Sequence, residues 1–301
     1  MNGLMLVKPV SVTPAMLTAT DVPESDYAAW SDATTYAAGD RVIVVSVHKV
    51  YESLQATNLN HDPVTQTTWW IEVSPTNRWK AFDLSSSTRT AQADGMYFEI
   101  KPGSSVNAAA VINCVGVREV RYRLTDPSFG LVYDQTHEMT SIPTESSWYA
   151  WLFSERVERS QNIDFDLPTY PNATLRVDLT GASNMAVGVI LIGQNKAIGR
   201  GVLAGASVGI RDFSRKERND YGDTELVVRA FARRASFVVV IDNDDLDEVT
   251  DLLASVRATP CLWVGSTRRA AATVFGFYNE FDIVIPYAYH SECSIDLEGL
   301  T

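Results

Sequence analysis

Short apolar runs separated by turn-rich spacers fill most of the chain, and their period is nearer two than three or four. The run at 174–179, TLRVDL, alternates apolar and polar residues, which predicts a strand with one wet face. Comparable runs at 95–100, 108–115, 119–124, 163–167 and 187–192 are broken by Pro, Gly and Asp, with no helical period between them. This spacing predicts a β-sandwich or jelly roll over 76–195. Beyond Gly209 the pattern changes. The runs 225–231 and 236–241 are expected to be paired strands, and 243–256 carries Leu246, Val249, Leu252, Leu253 and Val256 on one helical face. Further strand runs follow Pro260 at 261–264, 273–277, 281–285 and 293–297. One helix on a mainly antiparallel sheet is the expected architecture of 196–301.

Two other stretches complete the organisation. Between 27 and 75, Trp30, Tyr36, a Gly39-Asp40 turn, the alternating run 41–47, Val50-Tyr51 and Trp69-Trp70 lie close together, which predicts a small β module with a core of rings. The arm 1–26 is rich in Val, Leu and Pro and is expected to be an extended strand that crosses to another domain or subunit. The five glycines of 193–209 mark a hinge or a segment of close backbone contact. The fold class expected is therefore mainly β, in four parts: 1–26, 27–75, 76–195 and 196–301.

Composition narrows the function. With 301 residues, 46% of them hydrophobic, the chain can bury a full core. A formal charge of -12 and the absence of a basic run argue against nucleic acid as a partner. No apolar run approaches the ~20 residues of a membrane helix, and no signal-like apolar segment opens the sequence, so neither membrane insertion nor secretion is expected. Cys114, Cys261 and Cys293 are widely spaced in apolar runs and read as buried thiols of a protein made in a reducing cytoplasm.

No catalytic residue, metal site or cofactor is expected, and the chain does not read as an enzyme. His48, His61, His137 and His290 lack metal-ligand spacing, and no Ser or Cys sits in a nucleophile motif. The acidic run 242–248 has Leu246 and Asp247 where a calcium loop needs an oxygen ligand and a glycine; Asn243 or Asp244 reads instead as a helix cap. The aromatic segment 148–153 is expected to be sandwich core plus an edge, an exposed part of which would suit subunit packing or sugar stacking. Arg211, Arg215, Lys216, Arg218, Arg229, Arg233 and Arg234 make the one locally positive region, which suits either contact between copies or a solvated face.

Two sets of residues resemble known families. Ala29-Trp30-Ser31, the stretch 35–42 with its Tyr36-x-x-Gly39-Asp40 turn, 50–53 and the closing 69–73 resemble the chitin-binding-type carbohydrate-binding modules attached to chitinases and phage tail proteins. That resemblance implies Trp30, Tyr36 and Trp69 as rings that stack on sugar. The chain departs from the family at 54–63, where the enzymatic relatives carry an exposed aromatic pair, so the rings serve either as a platform or as the module's own core. The second set, 209–217, 220–223, 229–232, 259–265 and 276–278 with 297–300, looks like virion proteins encoded among the tail genes of long-tailed, non-contractile phages. Its sheet-helix-sheet order is similar to the domain shared by tail tube and distal tail ring proteins.

The resemblance implies a structural subunit of a tail tip or baseplate, assembled in the bacterial cytoplasm and resident in the virion tail. Its partners would be other copies in a ring, tail tube, hub or baseplate proteins, and host surface polysaccharide. Arg211, Phe213, Arg215 and Trp263 are the expected interface residues. The alternative is a receptor-binding adhesin whose glycan binding is the primary role.

Overall fold

The computed structural model describes residues 3–141, 148–153, 157–218, 223–267 and 269–300. The chain is mainly β, as its pattern predicts, and divides into two compact units. One comprises Met1–Val10, Val106–Ala108 and Ile192–Thr301; the other comprises Ser11–Ser105 and Ala109–Leu191.

In the first unit an antiparallel sheet runs in the order Val189–Ile198, Leu4–Pro9, Cys261–Val264, Thr273–Val284, His290–Gly299, Phe231–Asp242. Gly201–Val202 and Ser207–Asp212 both pair along the outer side of Phe231–Asp242. Alternation along the long strands puts Phe237, Val239, Ile241, Cys293, Ile295 and Leu297 on one face. The helix Leu246–Ser255 covers this face through Val249 and Leu253, with Val256 following it into the core. Burying a large apolar side chain contributes roughly 1.5–3 kcal/mol, so this face holds the unit together. A bond from the Tyr278 hydroxyl to the Leu253 carbonyl (3.1 Å) ties helix to sheet.

The start of the arm is, as expected, an extended strand that joins a distant part of the chain: Leu4–Pro9 pairs on both sides, and Leu4, Leu6 and Val7 are buried. Other expectations change. The glycine-rich passage is strand and turn rather than hinge. Gly193 sits opposite Pro9, where a Cβ would lie 2.1 Å from the Lys8 carbonyl oxygen, so its role is close contact. The runs 225–231 and 236–241 do not pair with each other. No turn residue interrupts Phe231-Ala232-Arg233-Arg234-Ala235, and the chain passes straight on into the Phe231–Asp242 strand.

The helix also lacks the expected cap. A 3-10 turn, Asn243–Asp245, precedes it, and Asn243 instead donates to the Tyr287 (3.0 Å) and Ala288 (2.9 Å) carbonyls while accepting from Ser291 (2.5 Å). Asp247 and Glu248 still lie in the first turn, where the helix dipole favours negative charge.

The second unit contains a sheet in the order Gly130–Glu138, Val115–Asp126, Thr174–Val187, Gly95–Ile100, Leu17–Thr20, with Thr90–Ala91 also on Thr174–Val187. Tyr122, Leu124, Leu175, Val177, Phe98 and Ile100 are buried on one face. Arg121, Arg123, Arg176 and Asp178 alternate onto the other, where Asp178 accepts from Arg123 (2.7 Å) and Arg176 (2.9 Å). Arg176 also lies over the Tyr97 ring. Ala108–Ile112, buried throughout, pairs with Gln161–Asp164.

Within this unit the aromatic segment forms a three-stranded sheet, Arg41–Val44, Lys49–Ser53 and Trp70–Pro75, beside the pair Thr35–Tyr36 and Asn58–Leu59. Its core is Tyr36, Val42, Tyr51 and Trp70. The flanks are pinned by Glu24, whose carboxylate meets His48 Nδ1 (2.8 Å) and accepts from the Thr76 hydroxyl (3.2 Å). The segment expected to be sandwich core, 148–153, is instead a short helix, Trp148–Phe153, with Trp148, Tyr149, Leu152 and Phe153 exposed. Four of the six residues in WYAWLF are aromatic, a composition that favours strand, so this helix runs against local propensity.

Candidate functional site

The region with the strongest claim to a role is the ribbon that continues from the edge of the first unit's sheet. Ser207–Asp212 pairs with the start of Phe231–Asp242, and the hairpin Arg215–Arg218 with Thr224–Val227 lies between them in sequence. All residues of Ser207–Asp212, Arg215–Arg218 and Thr224–Val227 are exposed. Val208, Ile210, Thr224 and Val227 supply β-branched side chains that favour strand in Ser207–Asp212 and Thr224–Val227, yet all of these positions are exposed. Val208, Ile210, Leu226 and Phe231 are at least half exposed, and Val228 is 88% exposed.

Charge organises the same ribbon. Lys216 donates to Asp212 (2.7 Å), Arg215 pairs with Glu217, and Arg211 reaches Glu298 (3.3 Å) while its guanidinium lies over the Phe213 ring. The hydrogen bonds from Lys216 and from the Ser214 residue hold the Asp212 carboxyl well below the usual carboxylate range. Exposed apolar side chains between ion pairs can bury area against a partner while the charges set register.

Of the four residues expected at an interface, Arg211, Phe213 and Arg215 come together on this ribbon. Trp263 does not join them: it is fully buried, and its indole N–H donates to the Gly276 carbonyl (3.3 Å). The cause is its strand, Cys261–Val264, which is paired on both sides and buried at all four positions.

The three expected sugar-stacking rings share one core but differ in access. Tyr36 is buried, its ring edge against Trp70, and its hydroxyl accepts the Ser31 N–H (2.8 Å). Trp30 is half-buried with its indole nitrogen closed off from solvent. Trp69 is half-buried and lies against the His61 ring, centroids 3.9 Å apart. Trp69 with His61 is therefore the better-placed ring pair for contact with a ligand.

Other polar clusters read as structural. The buried Asp164 carboxylate accepts from Tyr133 (2.7 Å) and the Asp166 N–H (2.9 Å) and meets His137 Nε2 (3.1 Å), fastening Gln161–Asp164 to Gly130–Glu138. Burial pushes the Cys114 and Cys261 thiols up to about 12 and Cys293 to about 11, far from thiolate reactivity. Among the described residues no group of three or more His, Cys, Asp or Glu could hold a metal ion, and no helix is long and apolar enough to cross a membrane.

Two features carry no sequence motif and escape a reading of the chain. One is a row of carboxylates on the sheet face opposite the helix. The other is the exposed Tyr287 and Tyr289 loop that Asn243 tethers. Set against known proteins, the chain matches no family model, no curated protein and no solved structure.

Proposed function

We propose that this chain is a structural subunit of a tail tip or baseplate in a long-tailed, non-contractile phage, and that it assembles with further copies and with tail neighbours through the ribbon 207–231. The observation that carries the assembly role is the exposure of Val208, Ile210, Leu226, Val228 and Phe231 along the ribbon, with nothing among the described residues to cover them. Monomeric proteins rarely leave such a run of apolar side chains in water. The tail setting rests on the resemblance of the residues around 209–232, 259–265 and 276–300. In this reading the module 27–75 contributes contact with host surface polysaccharide through Trp69 and His61, and multiple copies raise a weak contact by avidity.

Electron microscopy of the purified full chain tests the proposal. Regular closed oligomers that are lost when 213–229 is replaced by a short turn are the expected result. Monodisperse single subunits at every concentration would overturn it. The rival, an adhesin whose sugar contact is primary, draws on the half-buried Trp69 and His61 pair; it requires glycan binding that survives the loss of assembly.

A further inference from the structure

The face of the first unit's sheet that turns away from the helix is acidic. Phe281 pairs with Ile295 and Ile283 with Cys293 toward the core, so the alternate positions Glu280, Asp282, Glu292 and Asp296 project from the opposite side. Register sets Glu280 directly across from Asp296. Like charges facing each other across an antiparallel pair destabilise it. Neighbouring Glu298 is already engaged by Arg211 (3.3 Å) and Asn279 (3.1 Å), whereas Glu280 and Asp296 have no cationic partner among the described residues. Both line a groove of about 360 Å³ whose wall also includes Val208, Ile210, Asn279 and one cation, Arg234, which lies across from Glu298 and forms no ion pair with either carboxylate.

The matching charge lies on the same chain. On the ribbon, Lys216 and Arg215 are occupied by Asp212 and Glu217, but Arg218 and Arg229 are exposed without a carboxylate partner among the described residues. We infer that the groove around Glu280 and Asp296 receives the ribbon of a second copy of this chain, with Arg218 and Arg229 set against the opposed carboxylates. The inference rests on the assembly reading and specifies its partner surface. Such a contact joins two different patches, so it is head-to-tail: repeated with a closing rotation it makes a ring, as an isologous contact cannot. An acidic groove with an apolar wall suits an arginine, whose guanidinium meets carboxylate while its stem covers aliphatic surface.

Sedimentation velocity of the full chain tests this with three variants: Glu280→Arg/Asp296→Arg, Arg218→Glu/Arg229→Glu, and all four substitutions together. Each pair alone is expected to weaken self-association by about tenfold or more, and the combined charge swap to restore most of it. Because restoration requires a folded chain, it separates a lost contact from a misfolded variant. Ribbon variants that dissociate while groove variants associate like wild type would overturn the groove as the receiving surface and leave assembly intact. A wild-type chain that never self-associates would overturn both.

Discussion

Trp69 and Trp70 are adjacent in sequence and opposite in role. Trp70 is fully buried, its indole N–H donates to the His61 carbonyl (2.8 Å), and Tyr36 meets it edge-on. Trp70→Ala is expected to destabilise the module by about 3–5 kcal/mol in denaturant unfolding followed by circular dichroism. Trp69→Ala should cost about 1 kcal/mol or less there and act instead on glycan binding. Equal losses of stability would make Trp69 another core ring. Gly193 gives a second residue-level test. A Cβ there would lie 2.1 Å from the Lys8 carbonyl oxygen, so Gly193→Ala should force two core strands apart and lower stability by about 1–3 kcal/mol, where a flexible hinge would tolerate it.

The thiols add a pH dependence. Their folded values, about 12 for Cys114 and Cys261 and about 11 for Cys293, lie above the ordinary value of 9.0 that unfolding restores. Their contribution to stability is therefore complete below pH 9.0 and is lost as pH rises toward the folded values. A thiol reagent at pH 8 should find none of the three cysteines in the native chain and all three after denaturation.

At the scale of elements, strand runs were legible in the sequence: the alternating 174–179 and the short apolar runs 95–100 and 261–264 all lie in strands. The helix was legible too, from Leu246, Val249 and Leu253. Partnering was not, because alternation specifies a face and never a neighbour. The arm reads as a strand that crosses to another domain, and Leu4–Pro9 does join the strands of 192–301, but its two neighbours there are not legible; Trp263 likewise reads as available although strands flank it on both sides. An apolar β-branched run also looks the same whether it faces a core or a partner, which hides the ribbon. Of the candidate sugar site, the rings themselves could be named, but the burial of Tyr36 depends on Trp70 arriving from across the module. Replacing 213–229 with a two-residue turn should leave the unfolding midpoint within a few degrees of wild type, since the described residues of that span, 213–218 and 223–229, are almost all exposed; a large drop would mean that the ribbon supports its own unit.

At the scale of the molecule, a chain of net charge -12 repels its own copies at long range, so association needs local complementarity and apolar burial to prevail. Added salt screens both the repulsion and the ion pairs, leaving the apolar part of the ribbon as the salt-resistant share of the contact. The decisive measurement is the solution mass of the full chain across a wide concentration range, beside an Ile210→Asp/Leu226→Asp/Val228→Asp variant. Wild type is expected to form oligomers well above 33.2 kDa, and the variant to stay at the monomer mass with an unchanged circular dichroism spectrum. A wild-type chain that remains monomeric throughout, or a variant that associates as well as wild type, would contradict assembly through the ribbon.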